Sequence, residues 1–151
     1  DITAMRGDPD MPRVVRETRA GIVLMHMQGT PATMQHQPTY QEVFVEVYSF
    51  LEESVHWSEE NGISREQIVL DPGIGFGKTP EHNLTLIRSL ANFGGIGCPV
   101  LLGISRKGII GYLTGKPIPQ RLAGSLGMAT VAVIRGGIQI LRVHDVSETI
   151  D

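Results

Sequence analysis

Ile68-Val69-Leu70-Asp71-Pro72-Gly73-Ile74-Gly75-Phe76-Gly77-Lys78-Thr79-Pro80-Glu81 passes from an apolar run, through an aspartate and a glycine-rich turn, to the opening of a helix. The apolar run has the character of a buried strand. Thr79 as N-cap, Pro80 at the first helical position and Glu81 in the first turn are helix-start signals. The segment is a strand–loop–helix unit, and the chain repeats it. Comparable apolar runs occur at Ile22-Val23-Leu24-Met25-His26-Met27, Val100-Leu101-Leu102-Gly103-Ile104 and Ile138-Gln139-Ile140-Leu141-Arg142-Val143. Continuous apolar strands of this kind suit a parallel sheet covered on both faces.

Helical patterns separate the runs. Val43, Val47, Leu51 and Val55 recur every four residues, with Phe44, Tyr48 and Trp57 adding bulk, and Asn61-Gly62 is a C-cap pair. Tyr40 is read as helix packing with them. After Pro80, Leu84, Ile87, Leu90 and Ala91 mark a buried face, with Gly94-Gly95 as the stop. A short helix is expected from Gly108 to Leu113 and a longer one from about Gln120 to Arg135, whose Ala and Gly content allows close packing. Asp145, with Glu148 three residues on, has the pattern of a capping box.

The order is β-α four times, which calls for right-handed crossovers and a parallel sheet. Four such units are half of an eightfold α/β architecture, the TIM (β/α)8 barrel, which takes roughly 250 residues. The fold expectation is therefore α/β, with residues 1–151 as a single domain forming the C-terminal four βα units. Asp1-Ile2-Thr3 could be the tail of a fifth strand, and the N-terminal half is expected to lie outside this sequence. A doubly wound sheet is the rival, but the Gly-rich fingerprint expected after its first strand is not present at Gln28-Gly29-Thr30-Pro31.

Composition narrows the partners. Of 151 residues, 41% are hydrophobic and 19% charged, and the net charge of −3 gives no electrostatic case for nucleic acid. No apolar run is long enough to span a bilayer. The opening Asp1-Ile2-Thr3-Ala4 has no basic segment, so no signal peptide is expected. Cys98 is the only cysteine, which excludes an internal disulfide and suggests a cytoplasmic setting. Its place at a strand start marks it as structural.

Chemistry-bearing residues collect where strands end. His26 and Gln28 follow the first run, Asp71 and the glycine loop the second, Ser105-Arg106-Lys107 the third, and Arg142, His144 and Asp145 the fourth. Barrel enzymes build their sites at C-terminal strand ends. Asp71 can cap a turn, or its carboxylate can accept parallel N–H donors from a guanidine-like ligand edge. The glycine loop falls one residue short of a P-loop, so glycine either permits a turn or lets backbone approach a ligand, with Phe76 as a wall. Arg106 and Lys107 are a solvated face or an anion site beside a helix N-terminus. Arg142 and His144 share a side by alternation and could clamp phosphate; the structural alternative pairs Arg142 with Asp145. A His–Asp relay lacks a nearby nucleophile. Met25, His26 and Met27 are better read as core than as a metal site. His36, His56 and His82 read as surface residues.

Leu24-Met25-His26-Met27-Gln28-Gly29, Leu70-Asp71-Pro72-Gly73-Ile74-Gly75-Phe76-Gly77-Lys78, Gly103-Ile104-Ser105-Arg106-Lys107 and Arg142-Val143-His144-Asp145-Val146 resemble, in order and spacing, the dihydropteroate synthase family. The resemblance implies condensation of 6-hydroxymethyl-7,8-dihydropterin diphosphate with 4-aminobenzoate to 7,8-dihydropteroate and diphosphate, in folate biosynthesis. It implies that Met25, Asp71, Phe76, Gly103, Lys107 and Arg142 bind the pterin. Ser105, Lys107 and Gly108 would border the aminobenzoate, and Arg142, Val143 and His144 the diphosphate. Lys107, Arg142 and His144 would be the catalytic set. Gly108 departs from the serine common at that position and leaves only a backbone donor. Mg2+ is implied as a cofactor carried with the diphosphate, its protein ligand in the N-terminal half, and homodimerisation through helices is a family expectation. With that half outside the chain, these 151 residues alone are expected to be inactive.

Two alternatives stay open. A pterin-dependent methyltransferase barrel would share an Asp71-like contact and have no use for a diphosphate clamp. A non-catalytic pterin-binding protein would bind without turnover.

Overall fold

The computed structural model describes residues 1–151, and its order of elements is α1 (Met11–Thr18), β1 (Ile22–Met25), α2 (Val43–Glu60), β2 (Ile68–Asp71), α3 (Pro80–Arg88), β3 (Leu101–Leu102), α4 (Gly108–Thr114), α5 (Leu122–Arg135), β4 (Ile140–Leu141) and α6 (Val146–Ile150). β1 and β2 are parallel, with Ile22 opposite Ile68 and Met25 opposite Asp71. A parallel bridge, Leu70 to Val100, carries the sheet on to β3. β3 and β4 pair in parallel through Leu101–Ile140 and Leu102–Leu141. Neighbouring strands are thus consecutive in the chain, without the order reversal of a doubly wound fold. The fold is α/β, and the sheet does not close.

The α2 stripe behaves as its spacing requires. Val47, Leu51 and Val55 are fully buried and Val43 nearly so. Phe44 and Tyr48 pack on Phe93 at ring separations of 5.2 and 6.2 Å. Leu24, Leu70, Val100 and Leu102 fill the other side of the same core. Thr79 Oγ1 accepts the His82 N–H at 3.2 Å, the N-cap bond that Thr79-Pro80 announces. α5 does approach α4 closely: a Cβ at Gly124 would stand 2.6 Å from Ile110 Cγ2.

Several expectations change. Strands β1, β3 and β4 are shorter than their apolar runs: β1 ends at Met25, and β3 and β4 pair over two residues each, losing positions at both ends of their runs. β4 is not buried on both faces; Ile140 is 40% exposed at the sheet's edge. Asp1-Ile2-Thr3 is a turn rather than a strand tail, its Asp1 carboxylate accepting the Thr3 N–H at 3.1 Å and the Met5 N–H at 2.5 Å. α3 buries Asn83, Leu86 and Ile87, whereas Leu84 is half-buried and Ala91 exposed. Gly94-Gly95 do not end it: α3 stops at Arg88, and a 3-10 turn, Leu90–Ile96, runs through both glycines to left-handed Gly97. Trp57 lies on the exposed side of α2, and Tyr40 precedes the helix. His82 is half-buried rather than a free surface residue. Its Nδ1 accepts the Thr79 N–H at 3.2 Å, and its ring packs edge-on against Tyr40 at 4.9 Å. α1 was not anticipated; Pro12 at its start and buried Val15 are its only sequence signals.

Candidate active site

Asp71 ends β2 and is 1% exposed. Its Oδ1 accepts the Gly73 N–H at 2.8 Å, the turn-capping role. Its Oδ2 accepts Nη2 of Arg142 at 3.0 Å. Each carboxylate oxygen has two lone pairs, so capacity remains for further donors. Gly103 explains how Arg142 arrives there from β4. A Cβ on residue 103 would stand 2.7 Å from Nη2 and 3.1 Å from Nε, so only glycine leaves the guanidinium room to lie across β3.

The pairing of Arg142 with Asp145 is therefore corrected. Asp145 is taken by Arg106, whose Nε donates to Oδ2 at 3.0 Å while Nη2 binds Oδ1. This fork holds the Asp145 carboxyl below, and the Arg106 guanidinium above, their ordinary ranges. It also removes Asp145 as a cap of α6, which has no side-chain cap bond. Arg106 has left-handed backbone, φ 58°, with its N–H on Ser125 Oγ at 2.9 Å. Arg106 is thus committed to holding two loops together, and Lys107 is the member of the pair turned toward Asp71's side.

Lys107 Nζ donates to the Ile74 carbonyl and lies 4.5 Å above the Phe76 ring centroid. Burial lowers its pKa to about 8; nearby Asp71 opposes that shift, and Arg142 adds to it. Ser105 Oγ accepts the His144 N–H at 3.3 Å and lies 3.1 Å from His144 Nδ1. The nucleophile missing from the His–Asp reading is in this sense present, but Asp145 belongs to Arg106, so no relay forms. Met25 is buried directly opposite Asp71 in the ladder. Val143 is half-buried between Arg142 and His144, and Gly108 opens α4 with its surface exposed. Asp71, Phe76, Gly103, Lys107 and Arg142 thus gather at one end of the sheet, with Ser105–His144 alongside.

Three residues take roles that the sequence reading did not assign, although Gln28 and Lys78 stood among its strand-end residues. Lys78, 3% exposed, turns inward onto His26 and the loop. Tyr40 Oη donates to the Gly77 carbonyl at 2.7 Å. Gln28 clasps Thr39 from both sides, donating to its carbonyl at 2.8 Å and accepting its N–H at 3.0 Å. The one available signal was the lysine itself, at the end of a glycine loop that failed the phosphate-binding count. No three His, Cys, Asp or Glu side chains are placed to hold a metal. No helix is long and apolar enough to cross a membrane.

A buried acid, two cations and a Ser–His pair meet at the C-terminal ends of parallel strands, the place where α/β barrel proteins build their sites. The chain belongs to the pterin binding enzyme family, whose profile matches residues 1–144. It is 44% identical to the dihydropteroate synthase of Escherichia coli (strain K12), over 95% of this chain and 51% of that protein. Yersinia pestis dihydropteroate synthase, solved with a sulfonamide drug, is similar with a TM-score of 0.95 at 37% identity, covering 99% of this chain and 54% of the other. The Xanthomonas albilineans dihydropteroate synthase in complex with 7,8-dihydropteroate gives a TM-score of 0.90 at 41% identity, covering 100% and 54%. The chain spans about half the length of the curated relatives it matches.

Proposed function

We propose that this chain is the C-terminal four βα units of a (β/α)8 barrel that carries out the dihydropteroate synthase reaction, and that it holds most of the pterin pocket. The observation that carries this reading is the guanidinium of Arg142 on buried Asp71. An amino-pyrimidinone edge offers the same kind of parallel N–H donors, so a pterin can take that place while Arg142, half-exposed, moves to its face. Lys107 over Phe76 supplies a donor beside an apolar wall, with Met25 and Gly103 lining the floor.

In the proposed reaction the bond from the pterin methylene carbon to the diphosphate oxygen breaks, and its electron pair leaves with the diphosphate. The amine nitrogen of 4-aminobenzoate forms the new C–N bond and gives up a proton. The pterin ring stabilises the developing methylene cation, so the protein needs position and electrostatics more than a strong base. Arg142 and His144, with the Val143 backbone between them, would neutralise the diphosphate. Ser105, Lys107 and the Gly108 N–H would border the aminobenzoate carboxylate. Magnesium finds no set of donors in these residues, whose strand ends offer cations instead. It is proposed only as an ion brought with the diphosphate, with its protein ligand outside this chain. Small molecules are the proposed partners, together with a second copy of the whole protein. A cytoplasmic location is likewise a proposal.

The test is competition. Dihydropterin diphosphate should bind the chain, inorganic diphosphate should displace it, and no dihydropteroate should form without the other half of the barrel. Binding indifferent to diphosphate would favour the methyltransferase reading, and turnover by these 151 residues would contradict the half-site reading.

A further inference from the structure

Every carbonyl from Gly73 to Gly77 has a side-chain donor, two from Lys78 at the loop's own end and three from other segments. Lys78 Nζ takes Gly73 O and Phe76 O, both at 3.0 Å. Lys107 Nζ takes Ile74 O, Gln35 Nε2 takes Gly75 O at 2.8 Å, and Tyr40 Oη takes Gly77 O at 2.7 Å. A loop of three left-handed glycines has little conformational preference of its own, so its shape is set by these donors together with the Phe76 N–H on Gly73 O at 3.0 Å, the Gly75 N–H on Asn83 Oδ1 at 2.7 Å and the Gly73 N–H on Asp71 Oδ1. Lys78 differs from the others in being enclosed. Its ammonium also lies 2.9 Å from His26 Nδ1 and 3.3 Å from His26 O, and no carboxylate touches it.

We propose that Lys78 is a positioning residue, which fixes the Gly73–Gly77 loop onto the end of β1 and so sets the Phe76 ring under Lys107. The glycine loop then serves the site through its shape, and its lysine is no ligand for phosphate. A lysine 3% exposed with no ion partner is costly to keep. Burial lowers its pKa to about 7, with Asp71 opposing that shift and Lys107 adding to it. His26 also faces it and stays uncharged at neutral pH, its own pKa lowered to about 3. A side chain needed only to fill space would be met by methionine without that cost. What lysine adds is several donors radiating from one point toward two loop carbonyls and one strand end. That Phe76 and Lys107 serve a pterin rests on the proposed function; that Lys78 sets their contact does not.

The experiment is NMR on the 151-residue chain without ligand, comparing the native protein with Lys78→Met. The Phe76 ring should shift the Lys107 ε-protons upfield in the native chain. At pH 6, below the Lys78 pKa of about 7, that shift should collapse in Lys78→Met, and exchange of the Gly75 and Phe76 amides should rise by about tenfold, the order expected for losing hydrogen bonds to a charged donor. Methyl signals of Leu51 and Val55 should stay in place. A retained upfield shift in a folded variant overturns the proposal, and so does a change spread equally over those core methyls. Should the variant not fold, the native chain decides. Slowly exchanging Lys78 side-chain N–H signals with cross-peaks to Gly73 and Phe76 support the assignment; freely exchanging ones overturn it. Dihydropterin diphosphate added afterwards tests the separate reading: failure to bind with these signatures intact counts against the function and not against Lys78.

Discussion

Arg142 Nη2 lies 3.0 Å from Asp71 Oδ2, so the ends of β4 and β2 are joined across Gly103, the residue that follows β3. The bond ties two strand ends across a third, with a fully buried carboxylate on one side and a half-exposed arginine on the other. Arg142→Ala would leave Asp71 with the Gly73 N–H as its only donor. The expected loss is about 1–3 kcal/mol, the range for removing a partner from a buried polar group, read by urea denaturation. Adding Asp71→Asn to that variant should cost less than Asp71→Asn alone. Strict additivity in this double-mutant cycle would show that the pair contributes nothing in solution.

Gly103→Ala offers a way to break the same bond with both partners present. The new Cβ would meet the mobile end of Arg142 rather than backbone, so the fold should survive and the guanidinium should be displaced. The variant should lose stability in the native background and very little in an Arg142→Ala background. An equal loss in both would mean that the glycine is needed for some reason other than the arginine.

Gly73→Ala is the severe counterpart. Residue 73 has φ 69°, and its Cβ would collide with the His26 carbonyl, which is backbone and cannot turn aside. A loss of about 2–4 kcal/mol or failure to fold is expected from strain and collision together. A thermal unfolding midpoint close to that of the native chain would contradict the tight seating of this loop on β1.

Acid should loosen the protein partly through His26. Burial is the main cause of its lowered pKa, the charge of Lys78 the next, and the value falls from 6.5 to about 3. Between those values the unfolded chain binds a proton that the fold excludes, so stability rises with pH across the window. The contribution is fully present above about 6.5 and disappears as pH falls to about 3. Carboxylates such as Glu59, Glu81 and Asp145, whose pKa values are also lowered, act in the same direction. The comparison that isolates the histidine is the slope of urea midpoint against pH in native chain and His26→Gln. The slope should be shallower in the variant; equal slopes would mean that His26 takes no part.

Elements whose burial follows a period were legible from the sequence. Val43, Val47, Leu51 and Val55 announced α2, and Thr79-Pro80 announced the start of α3 to the residue, because both signals are local. The strand ends that collect polar side chains were legible for the same reason. Which of those side chains meet was not. Arg106, Arg142 and Asp145 each follow a strand and Asp71 ends one, and the sequence offered the neighbour, Asp145, only as the structural alternative to a phosphate for Arg142. The actual exchange of partners depends on Gly103 opening a path across the sheet and on Arg106 adopting left-handed backbone. Lys78 was opaque because a lysine after glycines reads as solvent-facing or phosphate-facing. Only the packing of β1 beside the loop turns it inward. α1 was missed because its eight residues bury little beyond Pro12 and Val15, too few to show a period.

The central claim is that these residues hold a pterin pocket built on Asp71. Isothermal titration of the folded chain with 6-hydroxymethyl-7,8-dihydropterin diphosphate, beside Asp71→Asn, tests it most directly. Saturable binding that the substitution abolishes, with the variant still folded by its unfolding transition, is the predicted result. Binding of equal strength to Asp71→Asn, or none to the folded native chain, would contradict it.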